Sequence, residues 1–203
     1  VEANQKLATI YQKLKKLTVS DQAAERALQS SSLTDWECAE THSLIASNLK
    51  TQWHNAVEAE SELVEKQRKA LSSPYLDKSL QSYLRGFEKH RSHYYSGLNA
   101  VAMQSVQIEL AKLHPEDWAL NFDDEHLAEM ELAKRTDYLA KLVAATELAI
   151  ESSIQNYPKD EWAPLSRADL MLLTSNNPKK VALNYQKCVC LLYTSPSPRD
   201  GLL

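Results

Sequence analysis

Leu139-Ala140-Lys141-Leu142-Val143-Ala144-Ala145-Thr146-Glu147-Leu148-Ala149-Ile150-Glu151-Ser152-Ser153-Ile154 carries its larger apolar residues in the rhythm of a helix. Leu139, Leu142, Val143, Thr146, Ile150 and Ile154 recur at steps of three and four, which places their side chains on one helical face. No Gly or Pro interrupts the run, and alanines take four of the positions between. This is the strongest helical stripe in the chain. A helix with so apolar a face must be covered by neighbours, so the character of those neighbours decides the fold.

The same rhythm runs outward in both directions. Leu98, Val101, Ala102, Val106, Leu110 and Leu113 predict a helix that starts near Ser96 and stops at His114-Pro115. Residues 116–125 then read as the clearest loop, with Asp123, Asp124 and Glu125 opening the next helix. Leu76, Leu80, Tyr83, Leu84 and Phe87 line a helix entered at Ser73-Pro74, with Ser as N-cap and Pro where its missing N–H costs nothing. Thr34 and Glu37 have the spacing of a capping box. From Thr34 no Gly or Pro occurs until Pro74. Ile45, Leu49, Trp53 and Ala56 share a face that Leu63 and Val64 extend, consistent with one long helix or with two separated near Ser61.

At the start of the chain, Leu7, Ile10, Tyr11, Leu14 and Leu17 predict a helix from Glu2 to Lys16, and a short one follows from Asp21 to Gln29. Beyond the central stripe, Pro158-Lys159-Asp160 turns the chain, with Asp160 as N-cap of a helix holding Trp162, Leu165, Leu172 and Leu173. Asn177-Pro178 caps another, with Val181, Ala182 and Tyr185. No segment alternates with the period of a strand, and short turns between helices imply antiparallel neighbours. The expected fold is all-α, a stack of antiparallel helical hairpins forming an α-solenoid in which each hairpin completes its neighbour's core.

The C-terminal run Cys190-Leu191-Leu192-Tyr193-Thr194-Ser195-Pro196-Ser197-Pro198-Arg199-Asp200 resembles, residue for residue, one translated frame of a transposon-type sequencing adapter. Residues 190–203 are therefore expected to be an artefact without order, and residues 1–189 a helical-repeat domain cut at both ends. Setting the tail aside leaves two glycines, Gly86 and Gly97, and two widely separated cysteines, Cys38 and Cys188. So little glycine favours helix nearly everywhere. Isolated cysteines in such a chain are small core residues, and with no disulfide framework a reducing, cytoplasmic compartment is the default. The formal net charge is −4 without a basic stripe, which argues against a nucleic-acid partner. No run approaches the roughly 18 apolar residues of a membrane span.

Chemistry finds little to work with. His90 and His93 lie three apart near Asp77 and Glu88, but a catalytic zinc helix needs two histidines four apart with a glutamate between them. Asp123-Asp124-Glu125 lacks the glycine and ligand alternation of a calcium loop. Neither a nucleophile elbow nor a phosphate-binding glycine loop is present, and two glycines could hardly build one. No catalytic residue, metal ligand or cofactor site is expected, nor a small-molecule substrate, and the chain does not read as an enzyme.

Ser79, Tyr83 and Gly86 follow the small, aromatic, small spacing of the second helix of a tetratricopeptide unit, and Ala145, Ala149 and Ser152 repeat it. Tyr83-Leu84-Arg85-Gly86-Phe87-Glu88 followed by Tyr94-Tyr95-Ser96-Gly97-Leu98-Asn99-Ala100 resembles the signature of a more specific helical family. That family is the tetratricopeptide-like TRAF-binding domain found centrally in apoptosis signal-regulating kinases and in many bacterial proteins. Ala46-Ser47-Asn48-Leu49-Lys50-Thr51-Gln52-Trp53 is similar to its upstream segment, although Ala46 replaces a usual glycine. Asp160-Glu161-Trp162 leading to Ala168-Asp169-Leu170 is similar to its downstream helix. The resemblance spans about Thr34 to Lys187 and singles out Asn48, Lys50, Trp53, Tyr83, Gly86, Phe87, Tyr94, Tyr95, Gly97, Asn99 and Trp162.

Packing alone gives these residues work. Gly86 allows close approach or a bend beside Phe87, and Asn99 is placed to bond the backbone of a neighbouring turn. The resemblance implies a non-catalytic scaffold in a signalling protein that binds another protein or another domain of its own chain. The alternative is a regulatory domain of a larger enzyme, for example a kinase. Binding to a TRAF-type adaptor belongs to the animal members, and shared fold does not transfer a partner.

Overall fold

The computed structural model describes residues 1–194, with side chains through Cys188. The described residues form ten α-helices and no strand. In chain order these are α1 (Glu2–Lys13), α2 (Leu17–Leu28), α3 (Asp35–Glu58), α4 (Leu63–Ser72), α5 (Pro74–Lys89), α6 (Tyr94–Leu113), α7 (Pro115–Ala119), α8 (Glu125–Asn156), α9 (Trp162–Thr174) and α10 (Pro178–Thr194). The main helices pack in succession, α1 on α2, α2 on α3, α3 on α5, α5 on α6, α6 on α8, α8 on α9 and α9 on α10. The short helices α4 and α7 sit between them, α4 touching α3, α6 and α7. This is the expected helical-repeat stack, all-α and tetratricopeptide-like. The adapter-like reading of residues 190–203 lies outside the described side chains, and for 195–203 outside the described residues altogether.

Local chemistry sets most helix ends where the sequence puts them. Thr34 accepts from the Glu37 N–H while the Glu37 carboxylate accepts from the Thr34 N–H, which closes the capping box at the head of α3. Asp124 accepts from the Leu127 N–H at 2.8 Å to open α8, and Asn177 accepts from the Lys180 N–H at 3.1 Å near the start of α10. The polar stretch around Ser61 separates α3 from α4, so the long glycine-free segment is two helices. Trp53 seats α4 on α3 by donating its indole N–H to the Ala70 carbonyl at 3.0 Å.

Other boundaries differ from expectation. The first helix ends at Lys13 and the second begins at Leu17, because Lys15 takes a left-handed φ of 58°. The Lys16 N–H then reaches the Tyr11 carbonyl and the Lys15 N–H the Gln12 carbonyl, both at 2.9 Å. That pair of bonds is a Schellman closure formed without the usual glycine. Residues 116–125 are only partly loop: Pro115 starts α7 in its first turn, and the buried Trp118 anchors it by donating to the Ala128 carbonyl at 3.0 Å. Helix α6 begins at Tyr94, two residues before Ser96. Ser73 occupies the N-cap of α5 but its side chain makes no capping bond.

The core runs through the middle of the stack. Leu76, Leu80, Tyr83 and Phe87 of α5 face Leu98, Val101 and Ala111 of α6 and Leu142 and Ile150 of α8. At Gly97, α5 and α8 close on α6: a Cβ there would stand 2.7 Å from Thr146 Oγ1 and 3.0 Å from the Phe87 ring. Gly86 makes a similar approach to α3, where a Cβ would lie 2.8 Å from Ser96 Oγ and 3.0 Å from the Ala39 carbonyl. The second tetratricopeptide-like spacing is less complete, since Ala149 is buried but Ser152 is exposed and Ser153 takes the inward position. The apolar stripe of α1 also points outward: Leu7, Ile10 and Leu14 are exposed while Ala8 packs against α2 and α3.

Candidate binding groove

The signature residues divide into two groups once folded. Asn48, Trp53, Tyr83, Gly86, Phe87 and Gly97 lie within or beside the packed interior. Lys50, Tyr94, Tyr95, Asn99 and Trp162 surround open clefts. Asn48 shows what the first group does. Its carbonyl accepts from Gln12 of α1 at 2.7 Å, and its amide donates to Ser20 at 2.8 Å and Asp21 at 2.7 Å on α2. With Ser20 donating on to the Ala8 carbonyl, the side-chain amide of Asn48 is fully satisfied where water is excluded.

Two clefts adjoin at the start of α6. One, of about 790 Å³, lies between the head of α3, the α5–α6 turn and the end of α8, and is lined by Trp36, Glu40, His93, Ser153, Tyr157 and Asp160 among others. The second, of about 640 Å³, lies between α3, α6 and α9 and is lined by Lys50, Leu98, Asn99, Trp162, Leu172 and Leu173 among others. Tyr94 and Tyr95 line both. Consecutive residues at the head of one helix point in different directions, so the two tyrosines stand side by side at the boundary of the two clefts.

The first cleft is held by hydrogen bonds that converge from distant parts of the chain. Tyr94 donates its hydroxyl to both Asp160 oxygens, at 2.9 and 3.1 Å. Asp160 also accepts from Ser153 at 2.8 Å and from the Trp162 N–H at 3.1 Å, which makes it the bracket between α8 and α9. Burial works to raise the Asp160 carboxyl, but these donors outweigh it and hold the group below its ordinary value. Burial and the neighbouring carboxylate push the Tyr94 phenol well above its ordinary range.

His93, only 2% exposed, stands with its Nε2 3.2 Å from a Glu40 oxygen and its Nδ1 2.8 Å from Ser96 Oγ. The ring thus joins the Glu40 carboxylate on one side to the Ser96 hydroxyl on the other, and Ser96 and Ser43 share a bond of 2.5 Å. The order Glu–His–Ser has the members of a hydrolytic triad. Ser96 is fully buried, however, and the Gly86 backbone closes over its hydroxyl, so no substrate carbonyl could reach it. The chain of bonds ties the head of α3 to the α5–α6 turn.

The second cleft has a cation on its wall. Lys50 Nζ donates to Asn99 Oδ1 at 2.7 Å, and the Asn99 amide donates to the Tyr95 carbonyl at 2.9 Å. The ammonium also lies 5.6 Å from the centroid of the buried Tyr83 ring. Burial lowers the Lys50 ammonium from the usual lysine value. Trp162, by contrast with its expected packing role, is 68% exposed.

Sequence reasoning missed Trp36, Glu40 and Tyr157 as groove residues. Trp36 stacks edge-on against His90 and His93 at centroid distances of 5.1 and 4.8 Å. Its only local signal is an aromatic two residues after the capping Thr34, which says nothing about where α3 docks.

Residues 1–104 match the family model described as Tetratricopeptide Repeats-Sensor. No curated protein and no solved structure matches the chain. The matched segment includes both cleft tyrosines, Lys50 and Asn99, and ends before α8. Among the described residues no helix is long and apolar enough to cross a membrane.

Proposed function

The chain belongs to the Tetratricopeptide Repeats-Sensor family, and from that membership we propose that it is a non-catalytic recognition module whose groove around Tyr94 and Tyr95 holds a peptide segment. The observation that carries this reading is the placement of the aromatic side chains. Tyr83, Phe87 and Trp118 are buried in the core, whereas Trp36, Tyr95, Tyr157 and Trp162 stand exposed along the two clefts. Large amphipathic rings supply contact area at little entropic cost and are the residues most enriched at binding hot spots. Stacked helical repeats offer such grooves to peptides and helices of partners.

The partner is another protein or another domain of the same polypeptide. The likeness of Tyr83–Ala100 to the TRAF-binding domain of signalling kinases supports a cytoplasmic signalling setting, where the module reports its occupancy to an effector. The test is selection of a random dodecapeptide display library against the purified chain. A counter-selection uses the double variant Tyr95→Ala, Trp162→Ala, first checked for unchanged helical content. Peptides that enrich on the wild type and fail on the variant support the reading. No enrichment, or enrichment indifferent to the two rings, overturns it.

A further inference from the structure

Lys50 is a half-buried cation with neutral neighbours. Its ammonium is held by the Asn99 side-chain oxygen and lies over the face of Tyr83. Among the described residues no carboxylate comes within ion-pairing distance of it. Asp169, the acidic residue lining the same cleft, is engaged by the Tyr185 hydroxyl at 2.5 Å. A buried charge without a counter-charge is costly, and a protein ordinarily pairs or exposes it. Asn99 makes the arrangement deliberate. Because its amide nitrogen is committed to the Tyr95 carbonyl, its oxygen must face Lys50, and the ammonium is aimed with donors to spare.

We propose that Lys50 receives the carboxylate of an aspartate or glutamate side chain carried by an extended partner peptide, with Leu98, Leu172 and Leu173 taking the apolar residues beside it. This rests on the peptide-groove reading above and names its charge chemistry. A phosphate is disfavoured because, among the described residues, one lysine is the only cation lining this cleft and the carboxylate of Asp169 lines it too. The cleft shares Tyr94 and Tyr95 with its neighbour, so on that side a bound chain has a second cleft to run toward. That suits an internal acidic side chain better than a chain end.

The experiment takes peptides recovered from the display selection and prepares each in three forms: parent, acid-to-amide at each Asp or Glu, and C-terminally amidated. Binding is followed by fluorescence anisotropy to the wild-type chain and to Lys50→Met, with melting of the variant checked first. The expected result is a loss of about tenfold or more for one acid-to-amide change on the wild type, and no effect of that change on Lys50→Met. Amidation of the end should leave affinity unchanged. Groove-binding peptides without an acidic residue, or equal loss on both proteins, overturn the inference while leaving the peptide-groove reading intact. Dependence on the terminal carboxylate alone, or displacement of the peptide by inorganic phosphate but not by acetate, also overturns it. A selection that yields no groove binder overturns the underlying reading instead.

Discussion

The Tyr94 hydroxyl donates to both oxygens of the Asp160 carboxylate, at 2.9 and 3.1 Å, across 66 positions of sequence. With Ser153 and the Trp162 N–H on the same carboxylate, one acid fixes the head of α6, the end of α8 and the start of α9. Those donors hold its pKa below the ordinary 3.8. A carboxyl depressed on folding contributes stability in full above its unfolded value and loses it as pH falls through the folded one. Asp160→Asn and Tyr94→Phe should each lower stability at pH 7 by about 1–2 kcal/mol, the range for a charge-assisted bond that is partly exposed. Thermal melts at pH 7 and pH 3 check this. The gap between wild type and variants should narrow in acid, and a gap that stays constant would show that the charge is irrelevant.

Asn48 performs a comparable task at the other end of the stack, but fully buried. Asn48→Ala removes the shared partner of Gln12, Ser20 and Asp21. Ser20 is buried while Gln12 and Asp21 are half-buried and can turn to water, and an unpaired buried polar group costs about 1–3 kcal/mol, so a total loss of about 2–3 kcal/mol is expected. The damage should be local. Hydrogen exchange should show α1 and α2 losing protection while α6 and α8 keep theirs, and uniform loss across the chain would refute the assignment.

How far these features could be read in advance depends on the range of the interaction behind them. The caps at Thr34 and Asn177 are legible, as is the acidic run that opens α8, because a capping bond spans only a few residues and demands particular side chains. The break after Lys13 was not, since it rests on a lysine at a φ of 58° where glycine would have announced it. Pro115 read as a stop and proved also to be the start of α7. The residues of the groove were partly named from their family likeness. Their division into a packed set and an exposed set was invisible, because Lys50 meets Asn99 49 positions away and Trp36 meets His93 only after α3 has docked on α5.

Gly97 tests the packing that brings those parts together. A Cβ at this position would lie 2.7 Å from Thr146 Oγ1 and 3.0 and 3.2 Å from two atoms of the Phe87 ring. Phe87 is 1% exposed and has no room to retreat. Gly97→Ala therefore overpacks the α5–α6–α8 contact, and the expected cost is about 1–3 kcal/mol despite the better helix propensity of alanine. Chemical denaturation of the purified variant measures it. A variant as stable as the wild type would mean that α8 can shift outward freely, and would remove the reason for a glycine here.

Lys50 should behave in the opposite sense. Its ammonium is lowered by burial, so the folded chain releases this proton at a lower pH than the unfolded chain, whose value lies near 10.5. Between the two values the unfolded state binds more protons, and stability contributed at this site rises with pH through that alkaline window. Below the window both states are protonated and the full cost of burying the charge is present. Lys50→Met keeps the length of the side chain and removes the charge, so its melting temperature at pH 7 should equal or exceed that of the wild type. The difference should shrink as pH climbs toward 10.5, because the wild-type lysine then becomes neutral in the fold. A variant that melts well below the wild type at neutral pH would make Lys50 a packing residue, bound to Asn99 for the sake of the stack. A variant that is more stable yet deficient in binding acidic peptide is the signature of a charge kept at the expense of stability because the groove uses it.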